Sequence, residues 1–307
     1  MHKPLVFIHI PKTAGTSIRS MMAVDLLQKG ILSIPPYNYG NDFIEGSYKQ
    51  IIGQPFLLGM RHLDNMNGGV RHDYSEIDFK WSVAHMTNKE LWDYWVSDVK
   101  DKSQNRIIET HLNRCRLKNG EKKYDYTTSV ISDLSTNEHY KDFNWMTILR
   151  NPVERVISEF YFMKILYKKN GYSGAGVKRF WGHMFTEDEL INITLDDYIN
   201  RDEVSNTQTK MLWGKGYLNK YEITTEDYKI LLDTLSRLDF KIGIMERMNE
   251  TIDMINDSFD FNISKSKQLH FKKNEYKSIV SDELKEKIKE KNKWDNLLYN
   301  KVKNNVL

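Results

Sequence analysis

The chain switches between short apolar runs and stretches whose apolar positions recur every three or four residues, the signatures of buried strand and amphipathic helix. Leu5 to Ile10 is such a run and predicts a buried strand. Thr16 to Gln28 follows as a helix, with Ile18, Met21, Met22 and Leu26 on one face. A second pair begins with the strand Trp81 to His85. It continues in a helix from Asn88 to about Lys100 that carries Leu91, Trp92, Trp95 and Val99 on one side. A third runs from the strand Trp145 to Leu149 into a helix over Val153 to about Tyr167. Pro152 stands at that helix's first position, where a missing N–H is no loss.

Strands alternating with helices imply parallel pairing through helical crossovers, hence an α/β domain on a central, mainly parallel sheet. Between the second and third pairs, Arg106 to Leu117 and Glu121 to Ile131 flank Asn119-Gly120, a tight-turn signal, and predict a β-hairpin. Asn170 to Gly182, rich in glycine with basic and aromatic residues, predicts a mobile loop. Helices then dominate, over Glu187 to Asn200, Ser205 to Trp213, Thr225 to Leu238, Arg247 to Phe259 and Ser281 to Lys303, with one more strand at Lys241 to Met245. No repeat or low-complexity linker divides the chain. Residues 1–307 read as one domain with a helical C-terminal part and insertions near 30–80, 100–140 and 170–185.

Composition narrows the class. The 307 residues, 40% hydrophobic and 28% charged, can bury a sizeable core. The longest apolar runs, Leu5 to Ile10 and Phe56 to Met60, fall far short of the roughly 18 residues a membrane-spanning helix needs. Met1-His2-Lys3 leads straight into strand-like sequence without the apolar stretch of a signal peptide, and the single Cys115 excludes an intrachain disulfide. A cytoplasmic location is the expectation. The net charge of +3 hides an asymmetry, because residues 262–307 hold twelve Lys against six Asp or Glu. That basic tail reads as a solvated face of interleaved Lys and Glu, or as a surface near an anionic ligand.

Candidate chemistry concentrates where the first strand ends. Phe7-Ile8-His9-Ile10-Pro11-Lys12-Thr13-Ala14-Gly15-Thr16-Ser17-Ile18 is a strand, a tight small-residue loop and a helix start. Such a junction suits phosphate: helix N-terminal N–H groups point outward, Gly15 permits close approach, Thr16 and Ser17 add hydroxyls, and Lys12 adds charge. It is not a Walker A loop, since the Lys precedes the Gly and none follows it. A second segment, Leu149-Arg150-Asn151-Pro152 through Arg155, Ser158 and Phe162, sends an Arg out of a strand end. A Ser follows about two helical turns on, and both side chains can converge on one phosphate. Arg155 reads as half of a structural ion pair.

The two segments resemble the 5′-phosphosulfate loop and the 3′-phosphate segment of sulfotransferases that use 3′-phosphoadenosine 5′-phosphosulfate. The likeness is to the carbohydrate branch typified by heparan sulfate 2-O-sulfation, with Ala14 where that branch has Gly. Ser205 to Lys210 with Leu212 and Gly214, Phe240 to Arg247, and Asp295 to Tyr299 are similar to later segments of the family. The resemblance implies a P-loop-like three-layer α/β fold. It implies the donor PAPS and its product adenosine 3′,5′-bisphosphate (PAP), bound by Lys12, Thr13, Ala14, Gly15, Thr16, Ser17, Arg150 and Ser158, and no metal. The sequence has no H-x-x-x-H or H-E-x-x-H pattern.

Sulfuryl transfer to a hydroxyl needs a base, and His, with a pKa near about 6.5, suits neutral pH. His85 follows a strand in the place the family implies, with Ala84 where Gly is expected. His111, in Arg106-Ile107-Ile108-Glu109-Thr110-His111-Leu112, resembles the base segment of the cytosolic branch but falls within the predicted hairpin. His9 reads as a core histidine. The expected mechanism is in-line displacement at sulfur, with His85, or else His111, as base and Lys12 stabilising the leaving phosphate. The acceptor is expected to be a carbohydrate or other hydroxyl. Tyr161, Tyr167, Tyr172, Phe180 and Trp181 read as sugar platforms or core packing, and Lys164, Lys168, Lys169, Lys178 and Arg179 as a polyanion surface or a solvated face. A P-loop kinase and a non-catalytic polyanion binder stay open, whereas no nucleic-acid-binding motif is present.

Overall fold

The computed structural model describes residues 5–15, 17, 18, 21, 22 and 25. It also describes the backbone of strand segments 83–86, 107–110, 117–118 and 121–122, and residues 144–172, 177–213, 218, 220–265 and 280–305. The predicted helix from Asn88 to about Lys100, Thr16, His111, Gly214 and the segment 30–80 lie outside them. Five strands form one parallel sheet: β1 (Leu5–Ile8), β2 (Val83–Met86), β3 (Ile107–Thr110), β6 (Asn144–Leu149) and β7 (Lys241–Ile244), in the order β2-β3-β1-β6-β7. The α/β reading with a central parallel sheet holds for the described strands.

The predicted hairpin needs correction. Among the described residues its antiparallel part is β4 (Leu117–Lys118) with β5 (Glu121–Lys122), where Leu117 faces Lys122 and Lys118 faces Glu121 across Asn119-Gly120. The stretch before it, read as a hairpin arm, is β3 of the main sheet, paired on one side with β1 and on the other with β2. A run such as Ile107-Ile108-Glu109-Thr110 suits a strand of either kind, and the turn signal downstream is silent about its distant partner.

Alternate residues of the central strands face opposite sides of the sheet. Leu5, Phe7, Met146 and Ile148 join Ile18, Met21 and Met22 of the helix that opens at Gly15, with Ile252 and Ile255 of α7 (Met248–Phe259). Ile8, Trp145 and Leu149 join Val156, Phe160 and Met163 of α1 (Pro152–Asn170) on the other side. The connections leaving β1 and β6 run in opposite directions along the sheet. Right-handed crossovers therefore place their helices on opposite faces.

The larger core extends through α2 (Val177–Trp181), inside the stretch predicted as a loop, then α3 (Glu187–Asn192), α4 (Leu195–Ile199), α5 (Thr207–Leu212), α6 (Thr225–Arg237), α8 (Asp282–Lys291) and α9 (Lys293–Lys303). Two helices expected to be continuous are broken. The first stops at Ile193 because Thr194 starts a new one, its hydroxyl accepting from the Asp197 N–H while the Asp197 carboxylate accepts from the Thr194 N–H. The second breaks at buried Asn292, whose side chain bonds the Ile288 carbonyl and the Asn206 N–H.

Two outcomes follow from the packing. Gly243 lies against Thr251, whose hydroxyl accepts from the Ile244 N–H and donates to its carbonyl, both at 2.9 Å. A methyl group at 243 would fall 2.4 Å from Thr251 Cγ2. Gly243→Ala should therefore cost about 1–3 kcal/mol in thermal unfolding, and Thr251→Ser, which removes that methyl, should return part of the loss. Lys210 is 1% exposed, its ammonium donating to the Asp202 carbonyl and Ser205 hydroxyl, and burial lowers its pKa from 10.5 to about 8. Between those values the unfolded chain binds a proton that the folded one does not. Stability should rise from pH 8 to 10.5 by roughly 3 kcal/mol on this account, and be level below. Urea unfolding of the native chain and Lys210→Met should differ by that slope.

Candidate active site

The site is built where the carboxyl ends of β1 and β6 lie side by side, with Ile8 level with Thr147. Connections diverge there, and in open parallel sheets such a point forms the ligand crevice. After β1 the backbone turns sharply. Lys12 and Ala14 have φ of 72° and 66°, in the left-handed region, whereas Thr13 between them does not. Alternation of this kind turns successive N–H groups toward one concave side, an anion-binding geometry. Ala14 accepts from the N–H groups of Ser17 and Ile18 and so starts the helix. Its conformation accounts for the glycine expected here: alanine costs about 1–2 kcal/mol in this region and glycine does not.

The other loop residues have distinct tasks. Thr13 is buried and its hydroxyl donates to the Ile10 carbonyl at 2.8 Å, tying the loop beneath itself. The Gly15 backbone is approached closely, but by His9: a Cβ there would lie 2.1 Å from His9 Cδ2. His9, read as a core histidine, is half-buried at the loop with its ring stacked 5.8 Å from Phe7. Ser17 is half-buried in the first turn of the helix.

Arg150 follows β6 directly, and Asn151 caps α1 by accepting from the N–H groups of Val153 and Glu154. The Arg150 guanidinium, 17% exposed, donates to the Lys12 carbonyl at 3.2 Å and lies 3.9 Å from the Glu154 carboxylate. Burial lowers its pKa, opposed by Glu154 and Glu246. The two predicted cationic segments thus meet. Lys12 lays its ammonium over the Phe162 ring, 4.0 Å from the centroid, a cation–π contact on α1. Ser158 is buried one helical turn before Phe162, on the same helix.

Beneath the site, Arg155 and Glu159 form the predicted structural ion pair, both fully buried. Burial pushes the Glu159 carboxyl up, and Arg155 and then Lys12 pull it down, so the loop lysine lies within the field of this carboxylate. The candidate bases differ in register. His85 is in β2, level with Glu109 of β3 and Phe7 of β1, two strands from the loop. His111 is the residue after Thr110, which pairs with Ile8 beside the loop. The described members of the aromatic set serve packing: Trp181 is buried, and the hydroxyls of Tyr172 and Tyr167 bond Phe185 and Glu187. Lys164 is committed to the Leu190 and Ile191 carbonyls at the end of α3.

Sequence reading gave no role to Gln208 and Glu246, which bond the backbone of Arg150 and Asn151. Their only trace in the sequence is that each falls in a segment of family likeness. Among the described residues, no group of three or more His, Cys, Asp or Glu gathers as metal ligands, and no helix is long and apolar enough to cross a membrane. No curated protein matches the chain. The sequence profile of the sulfotransferase family, however, matches residues 1–301, through both cationic segments and nearly to the chain's end. The chain therefore belongs to the sulfotransferase family, transferases that deliver a sulfuryl group to an acceptor.

Proposed function

We propose that the chain transfers the sulfuryl group of PAPS to an acceptor hydroxyl, with PAP as the product. The observation that carries this reading is the bond from the Arg150 guanidinium to the Lys12 carbonyl. It joins a phosphate-type loop to a second cation at the mouth of adjacent parallel strands, as a ligand with two separate anionic groups requires. Lys12, Thr13, Ala14, Gly15, Thr16 and Ser17 hold the phosphosulfate end, and Arg150 with Ser158 the 3′-phosphate. We read the fold as a P-loop-like three-layer domain; what supports this is the sheet order, which with the hairpin left out runs 2-3-1-4-5.

The residues divide the chemistry as follows. Loop N–H groups and Lys12 stabilise the charge that grows on the bridging phosphate oxygen as the S–O bond to the donor breaks. Lys12 must exchange the Phe162 ring for the anion, a stronger partner. A histidine takes the acceptor's proton as the new S–O bond forms. The register favours His111 over His85, since strands lie about 4.8 Å apart and β2 is two strands, roughly 10 Å, from β1. The acceptor proposed is a carbohydrate hydroxyl, on the likeness of the loop alone, because the described aromatics are engaged in packing.

A sulfate-transfer assay with labelled PAPS against oligosaccharides, small alcohols, phenols and tyrosine peptides tests the reading. Transfer to an oligosaccharide is expected. Stabilisation of the chain by ATP with Mg²⁺ but not by PAP would count against it. Lys12→Ala and Arg150→Ala should each lower turnover by at least about 100-fold, as loss of a charge-stabilising donor does. Normal activity in either would remove the assignment. With saturating donor, His111→Ala should lose about 100-fold or more in kcat and His85→Ala little, and the reverse result would restore His85 as base.

A further inference from the structure

Three short segments resemble the family yet have no part in the chemistry above: the one containing Asn206 and Gln208, the one ending in Glu246 and Arg247, and Asp295 to Tyr299. In the structure they converge on the two peptides that carry Arg150. The Gln208 carboxamide accepts from the Arg150 N–H at 3.0 Å and donates to the Arg150 carbonyl at 2.9 Å, gripping this residue as a neighbouring strand would. The next N–H, that of Asn151, donates to Glu246 at 2.9 Å.

Each of these side chains is backed by the last helix. The N–H groups of Gln208 and Thr209 donate to the two oxygens of buried Asp295, at 3.1 and 2.7 Å. The second Glu246 oxygen accepts from the Tyr299 hydroxyl at 3.2 Å. Asp295 and Tyr299 are one turn apart on α9 and so share a face. The Asn206 side chain in turn accepts from the N–H groups of Trp294 and Asp295, fixing the start of that helix against α5.

We propose that Gln208, backed by Asp295, and Glu246, backed by Tyr299, are positioning residues that aim the Arg150 guanidinium at the donor's 3′-phosphate. The inference rests on the donor site proposed above. Arg150 leaves a strand end, and its head group must be oriented within about 10–20° to meet a phosphate with two donors. The helix that follows is capped by Asn151 and fixes one side of the turn. Gln208 and Glu246 fix the other by removing the rotational freedom of the two peptides. Only a carboxamide of this reach presents donor and acceptor to one residue, so Met at 208 keeps the volume and loses both bonds.

The test is calorimetric titration of the full chain with PAP and with adenosine 5′-monophosphate, which lacks the 3′-phosphate. The variants are Gln208→Met, Tyr299→Phe and, as a remote stability control, Leu231→Ala in the core. Gln208→Met should weaken PAP by roughly ten-fold at unchanged stoichiometry while leaving the monophosphate nearly as before. Tyr299→Phe, which deletes a single oxygen, should weaken PAP a few-fold in the same selective way and serves even if Gln208→Met does not fold. Leu231→Ala should lower Tm without changing either Kd. A network that only stabilises the fold would lower Tm and stoichiometry at constant Kd, or weaken both nucleotides alike, and would overturn the inference. A native chain that binds PAP no better than the monophosphate would instead overturn the donor site itself, and the inference with it.

Discussion

A parallel sheet must carry its connections over its faces, and here those leaving β1 and β6 depart in opposite directions, so a crevice opens at the carboxyl ends of these two neighbours. The loop after β1 occupies that crevice in a conformation the chain would not adopt alone. Lys12 and Ala14 in the left-handed region each cost about 1–2 kcal/mol. The contacts that offset this are local and specific: Thr13 to the Ile10 carbonyl, His9 against Gly15, and Arg150 to the Lys12 carbonyl. The bond from Arg150 that helps hold the loop in shape also brings this second cation to the loop backbone. Strain of this kind persists where surrounding structure over-determines it, commonly at functional sites.

Beneath the crevice the core holds buried charged groups. Arg155 and Glu159 are buried on α1, Asp295 is buried on α9, and Lys210 is buried on α5. Burial raises the carboxyls of Glu159 and Asp295 and lowers the lysine. A pair desolvated in this way adds little net stability compared with apolar packing. Its value here lies in orientation. The two carboxylate oxygens of Asp295 each accept from a backbone N–H, and Glu159 extends its field to Lys12, so displacing α1, α5 or α9 would strand a charge in the core.

Sequence periodicity located β1, β2, β6, β7 and α1 to within a residue or three, because buried parallel strands are short apolar runs and Pro152 marks a helix start. It placed α5, α6 and α7 to within two residues but joined α3 to α4 and α8 to α9, although a signal dividing the first of these pairs was present. Thr186, Thr194 and Thr224 each precede an acidic residue by three positions, and each forms a capping box. Reading Thr194 with Asp197 would have divided Glu187 to Asn200 correctly. The β3 error is different in kind, since strand partners are non-local and an Asn-Gly turn speaks only for its own hairpin. At the site, Lys12 and Arg150 were legible as charged residues at strand ends. Gln208 and Glu246 were not, because the role proposed for them depends on contacts 58 and 95 residues distant in sequence.

The basic tail changes meaning on this evidence of packing. Residues 280–305 form α8 and α9 and carry seven lysines against five carboxylates. Several of those lysines are already paired: Lys287 with Asp196 of α4, Lys285 with Asp282 and Lys289 with Glu286. Exposed pairs of this type contribute about 0–1 kcal/mol each and mainly solvate the helix. A diffuse positive surface would raise the rate of encounter with any anion while discriminating poorly among them. Recognition of a ligand with two phosphate groups at fixed spacing demands placed cations instead. Under the proposed roles of Asp295 and Tyr299 the last helix would supply that placement by the face turned inward, while the lysines outside remain in water.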